Sequence, residues 1–163
     1  MDKIWAPWRS PYLKHLGNRT EEEAGCVLCK IPETADEERY ILKRGESCYV
    51  VLNLYPYNNG HLMVVPYRHI PSLTELTPEE GAELLELTSE SIRALQSGLK
   101  PDAFNMGANL GRLAGAGIVD HFHMHVVPRW GGDTNFFPVI GETKVISAPL
   151  EETYAKLRPH FQG

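Results

Sequence analysis

A chain of 163 residues, 42% hydrophobic and 23% charged, fits one folded domain over residues 1–163. Its formal charge of −5 argues against a general nucleic-acid binder, and the absence of any apolar run near the roughly 20 residues that cross a bilayer argues against a membrane protein. The opening residues, Met1-Asp2-Lys3-Ile4-Trp5-Ala6-Pro7-Trp8-Arg9, lack the apolar stretch and cleavage site of a secretory signal, so the cytoplasm is the expected location.

The acidic groups at 21–23 and 36–38 read as solvated surface, and Cys26-Val27-Leu28-Cys29 between them supplies half of a metal site, a redox pair or two simply buried thiols. Residues 47–54 are β-rich, 55–60 break the pattern, and 61–66 are apolar again, which predicts a hairpin. Cys48 in its first strand reads as a small buried apolar residue. Thr77-Pro78-Glu79-Glu80 then offers an N-cap, a proline at the first helical position and a capping-box glutamate. A long helix is expected to follow, its core stripe on Leu84, Leu85, Leu87, Ile92 and Leu95, ending near Gly98. Residues 103–108 predict a third strand, a glycine-rich loop runs through Gly117, and residues 121–127 predict a fourth strand that stops at Pro128. A short helix closes the chain within 149–161. This order suggests an α+β fold with a mostly antiparallel sheet.

The fourth strand carries the chemistry. Side chains alternate along a strand, so His121, His123 and His125 fall on one face at about 6.6 Å spacing, with Phe122, Met124 and Val126 on the other. Three of the seven histidines thus lie within five residues. One reading is a half-exposed strand whose polar positions happen to be histidine; another is a zinc hydrolase in which the triad itself binds metal.

His121-Phe122-His123-Met124-His125-Val126-Val127 resembles the signature of the histidine-triad nucleotide hydrolases and transferases. A nucleotide-binding regulatory module is the reading outside the enzyme class. Asn53, and Gly60-His61 leading into residues 62–66, resemble that family's ribose- and phosphate-facing segment, and the similarity runs from about Cys26 to Pro138. The resemblance implies a five-stranded antiparallel sheet with a long helix and a short C-terminal helix, usually paired into a homodimer, and no organic cofactor. It implies a nucleotide substrate, His123 as nucleophile on the α-phosphorus, His125 on the phosphate oxygens, and His61 as support for the triad. Asn53 matches the ribose position, while Asn109, Gly115 and Gly117 fall in a stretch suited to holding phosphate. In the zinc-binding branch of the family, a Cys-x-x-Cys, a histidine after the second strand and the first triad histidine share one metal. Here those are Cys26, Cys29, His69 and His121, a closed set implying a structural zinc.

Many members carry glycine-glutamine-serine or glycine-glutamine-threonine before the triad; this chain has Gly115-Ala116-Gly117-Ile118-Val119-Asp120 instead. With Trp5, Trp8 and residues 128–136, this looks more like the bacterial branch containing diadenosine tetraphosphate phosphorylases, enzymes that use inorganic phosphate as acceptor. A second anion site would then draw on Arg112, Arg129 or Lys144, while Trp130 covers the nucleotide or packs a terminal segment.

Overall fold

Residues 25–133 and 146–161 are described by the computed structural model. In chain order the helices are α1 (Val27–Lys30), α2 (Asp36–Arg39), α3 (Pro78–Leu99) and α4 (Leu150–Leu157), and the strands are β1 (Ile41–Arg44), β2 (Cys48–Leu52), β3 (Leu62–Pro66), β4 (Ala103–Gly107) and β5 (Met124–Arg129). The five strands form one antiparallel sheet in the order β1-β2-β3-β5-β4.

The hairpin of β2 and β3 is the sheet's centre, and all ten of its residues are buried. Alternation splits them between two cores. Cys48, Val50, Leu52, Leu62 and Val64 point to α3 and α4, where they meet Leu84, Leu95 and Leu157. Tyr49, Val51, Met63 and Val65 point the other way, onto Leu28 and Ile31 of the α1 region. Gly60 closes the hairpin at φ +73°, where a Cβ would sit 2.5 Å from Leu99 of α3, so both conformation and space call for glycine.

The long helix begins as its sequence predicts. The Thr77 hydroxyl accepts from the Glu80 amide, and the Glu80 carboxylate accepts from the Thr77 amide in return. It ends near Gly98 as expected, one residue beyond it at Leu99, and Lys100, not the glycine, takes the left-handed cap at φ 51°. A Cβ on Gly98 would stand 3.0 Å from Leu157 and 3.2 Å from His160, so this glycine lets the C-terminal segment approach and does not stop the helix. That segment is α4 followed by a 3-10 turn over Arg158–Phe161.

The predicted fourth strand is also corrected. It starts at Met124, not at His121, and runs through Pro128 to Arg129. The last ladder pair with β3 is Val64↔Met124, and two residues further along β3 stands Pro66. Tyr67 donates its amide toward β2, at the Ser47 carbonyl, so the backbone of Pro66 faces β5, and proline has no N–H to offer there. The ladder therefore stops, and the Pro66 carbonyl instead accepts from His121 Nε2 at 2.8 Å. Strand β1 has no counterpart among the predicted strands. It is a four-residue edge strand with an irregular register between Ile41 and Lys43, and only Ile41 and Leu42 are buried.

Candidate active site and metal cluster

His123 and His125 lie on the sheet face away from α3, His125 directly across the ladder from Met63 and Gly107. They are 7% and 8% exposed, and their rings stand nearly perpendicular with centroids 4.8 Å apart. Hydrogen bonds to backbone groups of known polarity fix which nitrogen of each ring carries the proton.

His123 Nδ1 is 2.8 Å from the His121 carbonyl oxygen, which can only accept. The proton is therefore on Nδ1, and Nε2 keeps its lone pair. At His125 the assignment comes through a chain of contacts. The Tyr57 amide donates to His61 Nδ1 at 3.0 Å, so the His61 proton is on Nε2. His61 Nε2 then donates to His125 Nδ1 at 2.8 Å, which leaves the His125 proton on Nε2. That N–H is buried and has no hydrogen-bond partner among the described residues. A lone pair on one ring and an unanswered N–H on its neighbour form a pair suited to an electrophilic centre that carries anionic oxygens, such as a phosphorus.

Burial keeps these rings neutral. It pushes His61 down to about 3, with His125 and then His123 adding to the shift, and it pushes His125 down to about 4, with His123 adding. His123 is lowered as well, again chiefly by burial, against the opposing pull of its bond to the His121 carbonyl. The Tyr57 ring leans on His61 and His125 at centroid distances of 4.6 and 5.5 Å and covers them from one side. Sequence reasoning treated Tyr57 only as part of a turn; a contribution made through a backbone amide leaves no signal in residue type.

Cys26, Cys29, His69 and His121 come together in a second cluster, each offering one ligand atom within 4.8 Å of the others. His121 Nδ1 lies 3.3 Å from Cys26 Sγ, 3.4 Å from Cys29 Sγ and 3.3 Å from His69 Nδ1, and Cys29 Sγ lies 3.4 Å from His69 Nδ1. A tetrahedral zinc with bonds of about 2.3 Å to sulfur and 2.0–2.1 Å to nitrogen requires ligand separations of roughly 3.3–3.8 Å, the longest between the two sulfurs. The cluster thus fits a tetrahedral cation. The donation of His121 Nε2–H to the Pro66 carbonyl leaves Nδ1 free to ligate. Burial, and then the adjacent Cys26, push the Cys29 thiol up to about 11, a shift that a bound cation reverses. Of the three triad histidines His121 alone belongs to this cluster, while His123 and His125 stand outside it.

The remaining predicted residues are placed less closely. Asn53 adjoins His61, its Nδ2 3.4 Å from His61 Nδ1, and its Oδ1 accepts from the Tyr55 amide in a local turn. Asn109, Gly115 and Gly117 lie in the connection from β4 to β5 that leads into the triad, the two glycines exposed. Cys48 is fully buried in β2, and burial pushes its thiol up to about 12. Arg129 is already engaged by neighbouring side chains. Its guanidinium is held bidentately by Asp133 at 2.6 and 2.8 Å and donates to Asn105 at 2.7 Å. Arg112 is exposed in a 3-10 turn, Trp130 is half-buried beside Asp133, and Trp5, Trp8 and Lys144 lie outside the described residues.

This arrangement has parallels among known proteins. The family model of the HIT domain matches residues 35–132. The chain belongs to the histidine-triad (HIT) family. It is 44% identical over 157 residues to the AP-4-A phosphorylase of Mycobacterium tuberculosis, covering 94% of this chain and 80% of that one. An adenylylsulfatase of Arabidopsis thaliana is 30% identical over 64% of this chain and 52% of its own length. A zinc-bound HIT-family structure from Mycobacterium smegmatis superposes with a TM-score of 0.69 at 30% identity, covering 85% of this chain and 94% of that one. Membership makes this chain a nucleotide-processing enzyme, a nucleotidyl transferase or hydrolase.

Proposed function

We propose that this HIT-family enzyme is a diadenosine tetraphosphate phosphorylase, working through a nucleotidyl-histidine intermediate on His123. The observation that carries the mechanism is the opposite protonation of the two buried imidazoles, His123 with a free Nε2 lone pair and His125 with a free Nε2–H. The named mycobacterial relative, similar over almost the whole chain, supports the choice of substrate and acceptor.

In the first step His123 Nε2 forms a bond to the α-phosphorus of one adenylyl group, and the bond to the bridging oxygen breaks, releasing ATP. The His125 Nε2–H stabilises the negative charge that grows on the phosphate oxygens and the departing bridge. His123 becomes cationic as it is nucleotidylated, and its Nδ1–H stays on the His121 carbonyl, which offsets that charge. In the second step an oxygen of inorganic phosphate attacks the same phosphorus, the P–N bond breaks, and ADP leaves with His123 neutral again. Splitting one displacement into two avoids a direct encounter of two polyanions in the cleavage step. His61 positions His125 by holding its tautomer. Asn53 takes the ribose, and Asn109, Gly115 and Gly117 lie where phosphate oxygens would be held.

We place a structural zinc on Cys26, Cys29, His69 and His121, four protein ligands that leave no open position for substrate. Its contribution is to fix His121, whose carbonyl in turn orients His123. The single domain is read as a cytoplasmic homodimer. No helix among the described residues is long and apolar enough to cross a membrane.

Product chromatography tests the acceptor. With isotopic phosphate at millimolar concentration, diadenosine tetraphosphate is expected to give ATP and labelled ADP; AMP as the dominant product would make the enzyme a hydrolase instead. Inertness toward every dinucleoside polyphosphate, with AMP released from adenosine phosphoramidate, would make it a phosphoramidase.

A further inference from the structure

The bond from His61 to His125 sets which nitrogen of His125 carries the proton, and His61 is itself placed by the turn between β2 and β3. Its Nδ1 accepts from the Tyr57 amide at 3.0 Å, and its backbone amide donates to the Asn58 carbonyl at 3.2 Å. His61 is therefore held only as firmly as this turn. Leu54, Tyr55 and Tyr57 are 40%, 43% and 48% exposed, so the turn has little packing of its own, and a segment of that kind opens readily.

One side chain of the turn is buried. Asn58 is 6% exposed, and its Nδ2 donates to the Pro128 carbonyl at 3.0 Å and to Asp133 Oδ2 at 2.8 Å. The ladder between β3 and β5 ends at Leu62↔Val126, and Gly60 lies against Pro128 where the next pair would stand. The Asn58 side chain bridges that gap by taking up the Pro128 carbonyl. Both of its acceptors can only accept, so the amide group has one orientation and both of its protons are used. Asp133 is anchored in turn by Arg129 at 2.6 and 2.8 Å and by the Trp130 amide at 3.2 Å. The turn that places His61 is thus fastened to the end of β5, the strand that carries His125. An aspartate at position 58 would set an oxygen against two acceptors, and a leucine of similar size would leave both unanswered.

We infer that Asn58 is a positioning residue of the reaction: its clamp on Pro128 and Asp133 keeps the Tyr57 amide on His61, and so keeps His61 on His125. The inference rests on the proposed role of the His125 N–H as donor to the phosphate oxygens. Burial keeps both rings neutral, so the line of bonds from Tyr57 through His61 to His125 takes its direction from the amide at its head. Loosening that amide loosens every bond behind it.

The His61 ring is fully buried and its Nε2–H is hydrogen-bonded, so this proton is expected as a slowly exchanging downfield resonance in the proton NMR spectrum of the full chain. In Asn58→Leu, and independently in Asp133→Ala, its exchange with water is expected to be about tenfold faster, the effect of one net hydrogen bond lost from the closed turn. Turnover is read on whichever of diadenosine tetraphosphate and adenosine phosphoramidate the wild type accepts. There kcat is expected to fall about tenfold, part of the roughly 10²–10³ that a missing oxyanion donor costs, with KM within about twofold of wild type. Glu83→Ala is the control for lost stability alone. The Glu83 carboxylate accepts from the Glu46, Ser47 and Cys48 amides at the opposite end of the hairpin, so its removal weakens the sheet and is expected to leave the imidazole exchange and kcat of the folded protein as in wild type. Exchange as slow as wild type in both clamp variants, or accelerated equally in the control, would overturn the clamp whatever the activity. Faster exchange with kcat unchanged would instead remove the His125 donor from the proposed mechanism, and with it the part of Asn58 in the reaction.

Discussion

Replacing His123 by alanine removes a lone pair and little of the surface around it, so the covalent step should disappear while binding remains. Turnover of His123→Ala is expected to drop by on the order of 10³-fold or more, with nucleotide affinity by calorimetry within a few-fold of wild type. Near-normal turnover would sink the assignment. The buried imidazoles also predict how stability depends on pH. His61 and His125 titrate near 3 and 4 in the folded chain, against an ordinary value near 6.5. Above that ordinary value both states are neutral and contribute no dependence. As pH falls below it, the unfolded chain takes up protons that the folded chain refuses, so stability declines from about pH 6.5 down to about 3. Denaturant midpoints measured across that window are expected to fall, and to fall less steeply for His61→Gln; a flat profile would show that the rings charge without cost.

Helix α1 carries Cys29 and has only four residues, too few to hold itself in place. Its tie to the sheet is the fully buried Tyr49, whose hydroxyl donates to the Leu28 carbonyl at 2.7 Å. Tyr49→Phe keeps the ring and strands that carbonyl, at a cost of about 1–3 kcal/mol. The same loss should loosen the cysteine pair, so the variant is expected to give up zinc to a chelator faster than wild type. Unchanged release with lowered stability would separate the helix tie from the metal. These elements also show what the sequence made legible. The hairpin, the capped helix and the histidine spacing each follow from local rules, and each appears where expected within a few residues. What was missed depends on contacts between elements. The start of β5 is set by Pro66 on a different strand, Gly98 answers to Leu157 and His160, and β1 is too short and irregular to show alternation. The four residues of the candidate metal cluster were legible only as a family pattern, since bringing Cys26 to His121 is an outcome of the whole sheet.

Over the whole molecule the formal charge is −5, and the proposed substrate is itself a polyanion. Long-range fields therefore do not draw the two together, and recognition falls to short-range donors such as the His125 N–H. Raising salt from about 0.01 to 0.1 M is expected to leave kcat/KM level or slightly higher, because screening relieves repulsion. A steep fall would reveal a cationic site outside the one described. The central claim is that His123 carries the nucleotidyl group between two displacements. The most direct measurement is detergent quenching at alkaline pH, which preserves a P–N bond, during turnover of labelled diadenosine tetraphosphate without phosphate, followed by peptide mapping by mass spectrometry. The account predicts an adenylyl group on His123 Nε2, discharged to labelled ADP when phosphate is added before the quench. An adduct on any other residue, or steady turnover accompanied by inversion of configuration at a chiral thiophosphate, would contradict it.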